Sequence, residues 1–399
     1  PQLSRQAILA LRSAGLKVEY CGILPTPALA LRALEIGAAA IMVTGSHIPA
    51  DRNGLKFYRP DGEIDKADEA AITAGARLVE TGGALAAAEA IELPAPDDRA
   101  RDTYISRYLS AFPTAMLAGL RIGVYRHSSV AADILTQLLE ALGATVVQLG
   151  GSDGFVAIDT EAIDPETAER LRAWTREHRL DALLSTDGDG DRPLLVDETG
   201  RMVRGDALGA VAARVLQADV VVTPVSSNPG IGRELGFDVI RTRIGSPYVI
   251  EAMTFAKSKG YERIVGFEAN GGLLLGTETT IGTAPLAALA TRDSVLPMLC
   301  ALAASRQQAK PLSRLFDDLG LPVCVSGRVE DFARADSDRL MAWLRAGNAN
   351  LDRFLEGLGS VSYVDETDGL QVHLKDQGMI HLRPSGNAPE MRCYASAPD

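Results

Sequence analysis

The sequence predicts an α/β protein of three related units with mixed or parallel sheets, followed by a smaller C-terminal α+β unit, around a central cleft. Three observations carry this. The chain has 399 residues, too many for one core, and an apolar content of 46%, enough to fill several. A unit of helix, closing glycine and short apolar strand recurs three times. The last eighty or so residues break that pattern, with longer strand-like runs framing two helices.

The elements follow in order. Residues 3–14 have helical apolar spacing, Gly15 follows as a C-cap, and Leu16–Cys21 alternates like a strand. Ala38–Val43 is an apolar run that reads as a buried strand. The helix–glycine–strand unit recurs as 130–142, Gly143 and 144–149, then as a shorter helix near 229–235, Gly236 and 237–240. Further strands are expected at 120–125, 182–185, 219–223 and 263–267. The alanine-rich acidic stretch 82–99 and the connecting helix 101–110 separate the first unit from the second. Boundaries near Ala218 and around Lys310–Leu321 complete a division into 1–110, 111–217, 218–320 and 321–399. In the last unit, 323–329 and 361–374 read as strands and 337–346 and 349–357 as helices.

Bulk properties exclude several classes. A net charge of −12 argues against a nucleic-acid footprint, which needs a basic face. Cys21, Cys300, Cys324 and Cys393 form no C-x-x-C pair and read as reduced core thiols of a cytoplasmic protein. The richest apolar run, Ile281–Ala304, is broken by Arg292, Asp293 and two prolines, so no membrane span is expected. The chain opens at Pro1 inside a helical pattern, and a native segment is expected before it.

Four loops carry the chemistry. The first is Thr44-Gly45-Ser46-His47, at the end of the Ala38–Val43 run, continuing through Pro49 and Asn53-Gly54 to Lys56. Its turn would expose the Ser46 hydroxyl beside His47, Arg52 and Lys56, a setting suited to phosphoryl chemistry. A turn serine with no chemistry is the plain alternative. The second is Thr186-Asp187-Gly188-Asp189-Gly190-Asp191-Arg192. Alternate carboxylates with glycines between can converge on one point and suit a hard divalent cation. An EF-hand is a rival, because Glu198 falls at loop position twelve, but Arg192 replaces the required glycine and the flanks are strands. A solvated acidic turn is disfavoured by its own repulsion.

The third loop is Glu268-Ala269-Asn270-Gly271-Gly272, where a carboxylate and an amide could grip adjacent sugar hydroxyls; Asn-Gly is also simply a turn. The fourth is Arg383-Pro384-Ser385-Gly386-Asn387 with Glu390 and Arg392, a basic turn that can nest a phosphate or stand solvated. Arg243-Ile244-Gly245-Ser246 enters a helix whose amides could meet an anion, or which Ser246 simply caps. His127 and His178 read as structural.

In this order, the four loops resemble those of the α-D-phosphohexomutase superfamily, in its phosphomannomutase/phosphoglucomutase branch, over essentially the whole chain. The family pattern Thr-Ala-Ser-His-Asn-Pro is matched by Thr44-Gly-Ser-His-Ile-Pro49. The resemblance implies that Ser46 carries a phosphoryl group, and that Asp187, Asp189 and Asp191 hold Mg²⁺ with phospho-Ser46 as fourth contact. It implies sugar contacts from Glu268 and Asn270, with Arg192 also facing substrate. Arg383, Ser385, Gly386, Asn387 and Arg392 would bind phosphate. His47 and Lys56 are the acid/base candidates. Departures are Gly45 for Ala, Ile48 for Asn, Glu-Ala-Asn-Gly for Glu-Met-Ser-Gly, Asn387-Ala388 for Thr-Glu, and Ser246 where several relatives have histidine. The family's Gly-rich, Arg-containing N-terminal segment would precede Pro1.

The implied reaction interconverts hexose 1-phosphate and hexose 6-phosphate, of mannose or glucose, through phospho-Ser46 and a hexose 1,6-bisphosphate. The protein would be a monomer or homodimer with no nucleic-acid or membrane partner. Alternatives are a phosphoglucosamine mutase, a metal-dependent sugar phosphatase using the same loops, and a sugar-phosphate binding protein without turnover.

Overall fold

The computed structural model describes residues 2–46, 53–79, 92–152, 154–282, 284–385 and 389–398. The opening helix, Gln2–Ser13, ends as expected, with Gly15 in the left-handed region at φ 78°. Leu16–Cys21 is not a strand. Among the described residues it has no ladder neighbour, and only the Asp97 amide donates to the Tyr20 carbonyl, at 2.7 Å. An alternating pattern needs a partner to become a sheet. Helix Thr26–Ile36 carries Pro27 in its first turn, where a fixed φ is suited, and ends at left-handed Gly37. The serine-loop strand is Ala40–Thr44, half-buried rather than buried. It pairs antiparallel with Gly54–Arg59, which turns back through Gly62–Glu63. The described sheet of this first unit is therefore antiparallel. Helix Lys66–Val79 follows.

Helix Arg99–Ala111 buries Tyr104 and Tyr108 and leads to the second sheet. Its order is Thr145–Gly151, Arg121–His127, Ala182–Thr186, Pro193–Asp197, Met202–Val203; the first three strands are parallel and the rest antiparallel. Helices Ala132–Ala141 and Pro165–Glu177 connect them, the second capped by Asp164 accepting from the Thr167 amide at 2.9 Å.

The third sheet runs Asp238–Thr242, Val220–Pro224, Ile264–Phe267, Leu273–Leu275, Leu289–Asp293, parallel in its first three strands. The helix expected near 229–235 is only a 3-10 turn, Arg233–Leu235, because Pro229, Gly230 and Gly232 precede it. Helix Ser246–Ser258 has Gly245 as N-cap with no side-chain cap, so the capping role expected of Ser246 is absent. Helix Val295–Gln308 is buried along most of its length, which explains its apolar run; among the described residues no helix is long and apolar enough to cross a membrane.

The C-terminal sheet is wholly antiparallel, in the order Val323–Val329, Met391–Ala397, Met379–Pro384, Leu370–Leu374, Val361–Asp365. The run 361–374 is thus a hairpin and not one strand, broken where Gly369 takes φ 88°. Helices Arg334–Arg345 and Asn348–Phe354 cover one face, packing on Leu370, Leu382 and Met391. Strand alternation sends Arg383 and Arg392 to the other face. One apolar core runs from Leu24 to Leu319 through all three α/β units, while the cap has a separate core, Met341–Met391. The cysteines are free, and only Cys300 is fully buried.

Candidate active site

The fully buried strand Ala182–Thr186 delivers the acidic loop. The loop closes on itself: the Asp187 amide donates to the Arg192 carbonyl at 3.0 Å, and the Asp191 and Arg192 amides donate to Asp187 Oδ1 at 3.1 Å. Ligand oxygens of Asp187, Asp189 and Asp191 lie within 4.8 Å of one another, on side chains almost wholly removed from water. Glycine is required at Gly188, where a Cβ would come within 2.5 Å of the Ser46 carbonyl oxygen. The serine turn therefore sits directly on the acidic loop. Ser46 itself is left-handed, at φ 44°, a conformation that non-glycine residues adopt rarely. Its Oγ donates to Asp187 Oδ2 at 2.9 Å.

Three buried carboxylates this close repel strongly, and each needs compensation. Lys56 Nζ bridges Asp189 Oδ2 at 2.6 Å and Asp191 Oδ2 at 2.7 Å. Burial opposes the lysine charge, but Asp191 and Asp189 outweigh it and hold the ammonium above its usual pKa. Desolvation, with Asp191 and Asp189 beside it, pushes the Asp187 carboxyl well up. Asp191 moves the other way: burial is overcome by Arg292, Lys56 and Arg192. Thr26 adds a hydroxyl to Asp189 Oδ2 at 2.8 Å. Asp189 Oδ1 and Asp191 Oδ1 are buried without a hydrogen-bond partner among the described residues. Orphaned carboxylate oxygens converging in this way fit a hard divalent cation. The EF-hand alternative fails, since Glu198 points away and accepts from the Ser313 amide at 3.2 Å.

Arg292 is the functional residue that the sequence reading missed. Its Nε and Nη2 reach Asp191 Oδ2 at 3.1 and 3.0 Å, while Nη1 reaches Glu268 Oε2 at 2.9 Å. It joins the acidic loop to the Glu268 loop. The signal was visible as a charge interrupting an otherwise apolar run, and it was read only as a break in a membrane span. Its neighbour Asp293 is equally occupied, accepting from the Tyr104 hydroxyl at 2.7 Å and from Tyr108. Asn270 is buried and its Oδ1 accepts from the Gly272 amide at 2.9 Å, so this oxygen shapes its own loop.

Arg192 lies between Asp159 and Glu161, 3.9 Å from each, and its buried Nε has no hydrogen-bond partner among the described residues. Desolvation pushes the Glu161 carboxyl up despite Arg192, and Arg392 of the cap also acts on it. Arg383 and Arg392 are direct cross-strand neighbours in the cap sheet. Like charges opposite each other destabilise a sheet unless an anion joins them. Arg383 Nε donates to Asp368 Oδ1 at 3.1 Å and Arg392 Nε to Glu390 Oε1 at 2.9 Å. The buried Ser385 donates its amide to the Glu390 carbonyl at 2.9 Å. His47, Gly386 and Asn387 lie outside the described residues. His127 is buried, 2.9 Å from the Thr186 carbonyl through Nε2, a structural position. The structure thus gathers Ser46, Lys56, the three aspartates, Arg192 and Glu268 together, and places Arg383, Ser385 and Arg392 on the cap.

Comparison with known proteins agrees with this architecture. Residues 1–81, 102–200 and 204–320 match the families described as phosphoglucomutase/phosphomannomutase alpha/beta/alpha domains I, II and III. A phosphomannomutase of Sinorhizobium fredii is 50% identical over 401 residues, covering 100% of this chain and 84% of the relative. A phosphomannomutase of Salmonella muenchen is 45% identical, covering 99% and 81%. A phosphoglucosamine mutase of Alkalilimnicola ehrlichii is 30% identical, covering 97% and 80%. The crystal structure of a phosphoglucomutase/phosphomannomutase family protein from Burkholderia thailandensis shares the fold, with a TM-score of 0.72 at 22% identity over 98% of this chain and 80% of its own. The chain belongs to the phosphoglucomutase/phosphomannomutase family of the α-D-phosphohexomutase superfamily.

Proposed function

We propose that this protein is a cytoplasmic phosphohexomutase that interconverts the 1- and 6-phosphates of mannose, glucose or both, through phospho-Ser46 and a hexose 1,6-bisphosphate. The observation that carries the reading is the Ser46 hydroxyl, held in a strained turn and hydrogen-bonded to a buried aspartate triad. The first two relatives named above are phosphomannomutases, at higher identity than the phosphoglucosamine mutase. Similarity to two proteins named phosphomannomutase favours mannose phosphates as the substrates of this chain.

Asp187, Asp189 and Asp191 would hold Mg²⁺, which when bound supplies positive charge to the transferring phosphoryl group. The phosphorus–oxygen bond to Ser46 breaks as one forms to the free sugar hydroxyl. Lys56, kept as the ammonium by Asp191 and Asp189, is the proposed acid/base partner of the Ser46 oxygen, although those carboxylates also oppose release of its proton. His47 is the proposed acceptor of the sugar hydroxyl proton. Glu268, fixed by Arg292, and the Asn270 loop face the sugar. Arg192 contributes a further cation in the cleft. Arg383 and Arg392, with Ser385, Gly386 and Asn387, hold the phosphate that is not reacting. A site that grips either phosphate alike lets the bisphosphate turn over and return its other phosphoryl group to Ser46.

Replacing Ser46 by alanine tests this. Turnover should fall by roughly 10³-fold or more while hexose-phosphate affinity persists, as expected on losing a covalent nucleophile. Intact-protein mass spectrometry should show a phosphoryl group on the native protein and none on the variant. Unchanged turnover in Ser46→Ala would refute the assignment. Comparing glucosamine 6-phosphate with mannose 6-phosphate separates the aminosugar mutases from this reading.

A further inference from the structure

The hairpin that presents Lys56 has a second fixed end. Strand Gly54–Arg59 turns back through Gly62–Glu63, with Tyr58 opposite Glu63. The Glu63 carboxylate accepts two hydroxyls, both from the third α/β unit: Thr291 Oγ1 to Oε1 at 2.5 Å, and Ser246 Oγ to Oε2 at 2.8 Å. Neither donor is a neighbour in sequence. Thr291 immediately precedes Arg292, which grips Asp191 and Glu268. Ser246 is the first residue of the helix that follows the Arg243–Gly245 turn. Tyr58 seals the same contact, buried against Ala30 and Leu289.

Lys56 lies two residues before Tyr58 on one short strand, so both side chains project from the same face. One end of the hairpin meets the acidic loop of the second unit, and the other meets the third unit. We infer that Glu63 is a positioning residue for Lys56: it pins the hairpin to the strand carrying Arg292 and so sets Lys56 Nζ against Asp189 and Asp191. A single carboxylate then registers all three α/β units about the serine. A carboxylate that merely tied two units together would leave Lys56 where it is when removed; a positioning carboxylate would not.

The kinetic part of the test rests on the mutase reading, and the labelling part does not. With Mg²⁺ present, acetylation of Lys56 by an N-hydroxysuccinimide ester is followed by mass spectrometry against exposed Lys310. Glu63→Ala should speed Lys56 labelling relative to Lys310 by about tenfold, as a partly buried, paired amine becomes more accessible. The kcat should fall roughly 10- to 100-fold with KM within about threefold, the pattern of misplacement without lost binding. Glu63→Gln, which keeps an acceptor and can meet both hydroxyls, should restore both readouts. The pair Ser246→Ala with Thr291→Val removes the donors and keeps the carboxylate, and it should reproduce Glu63→Ala. Native-like labelling in the Ala variant and the donor pair would overturn the inference, as would faster labelling with kcat intact. An inactive native protein would sink the mutase reading alone, and the labelling would still decide the role of Glu63.

Discussion

Asp187, Asp189 and Asp191 are held by groups from all three α/β units, whereas Arg383 and Arg392 stand on a sheet with a core of its own. Lys56 and Thr26 come from the first unit, the loop from the second, and Arg292 from the third. The cap is tied to the body by scattered polar contacts. The Ile244 amide meets Asp368 at 2.9 Å, Gln371 Nε2 meets the Val225 carbonyl at 3.0 Å, and Asn228 Nδ2 meets the Pro322 carbonyl at 2.9 Å. The acidic loop is built into the shared core and cross-tied by Lys56 and Arg292, which suits the proposed reaction because a transferring phosphoryl group tolerates little misplacement. In the proposed reaction Arg383 and Arg392 receive and release a phosphate at either end of the sugar, a role that a cap with its own core would suit. Loss of groups at the first end should appear in kcat, and at the second in KM.

Four substitutions break or sharpen that contrast, in decreasing order of effect. Asp189→Asn removes charge from the rigid end; kcat should fall by roughly 10²- to 10⁴-fold with a raised Mg²⁺ requirement, read in a metal titration. Arg292→Met cuts the tie between Asp191 and Glu268, leaving two buried carboxylates without their guanidinium. Mg²⁺ activation and sugar-phosphate KM should shift together by about tenfold each, because one side chain serves both loops. Arg392→Ala should raise KM about 10- to 100-fold with kcat changed by less than about threefold, as for a phosphate held outside the reaction. Leu344→Ala empties a fully buried site in the cap core and should destabilise the cap by about 2–5 kcal/mol. Thermal unfolding should then separate into two steps, the body keeping its midpoint; a single cooperative shift would show that the cores are coupled.

A smaller effect concerns pH. Burial holds the His127 pKa below its ordinary value, opposed only by its contact with the Thr186 carbonyl. The unfolded chain therefore binds this proton more readily. Stability is full above the unfolded pKa, near 6.5, and is lost as pH falls through it. His127→Gln should flatten the slope of stability below about pH 6.5 by up to one proton, measured by denaturant titration.

The site was legible where it is written in consecutive residues. Alternating aspartates and glycines after an apolar strand can curl so that their carboxylates converge, and the serine turn ends a run of strand-formers. The arginine turn was visible as composition, although its cross-strand pairing was not. What escaped reading are bonds across long sequence separations. Arg292 and Asp191 are 101 residues apart, and Lys56 and Asp189 are 133 apart. Glu63 gave no local signal, since a lone glutamate in a hairpin normally faces water. Two elements were misread: Leu16–Cys21 has no ladder neighbour among the described residues, and 361–374 contains a turn that apolar periodicity hides.

Ser46 is proposed to carry a phosphoryl group between the two ends of a hexose. The most direct measurement is a coupled mutase assay on mannose 1-phosphate and glucose 1-phosphate in parallel, with Mg²⁺, with and without a hexose 1,6-bisphosphate. Hexose 6-phosphate should form, stimulated by the bisphosphate, with no matching release of inorganic phosphate. Steady release of inorganic phosphate without hexose 6-phosphate would contradict it and identify a phosphatase built on the same loops.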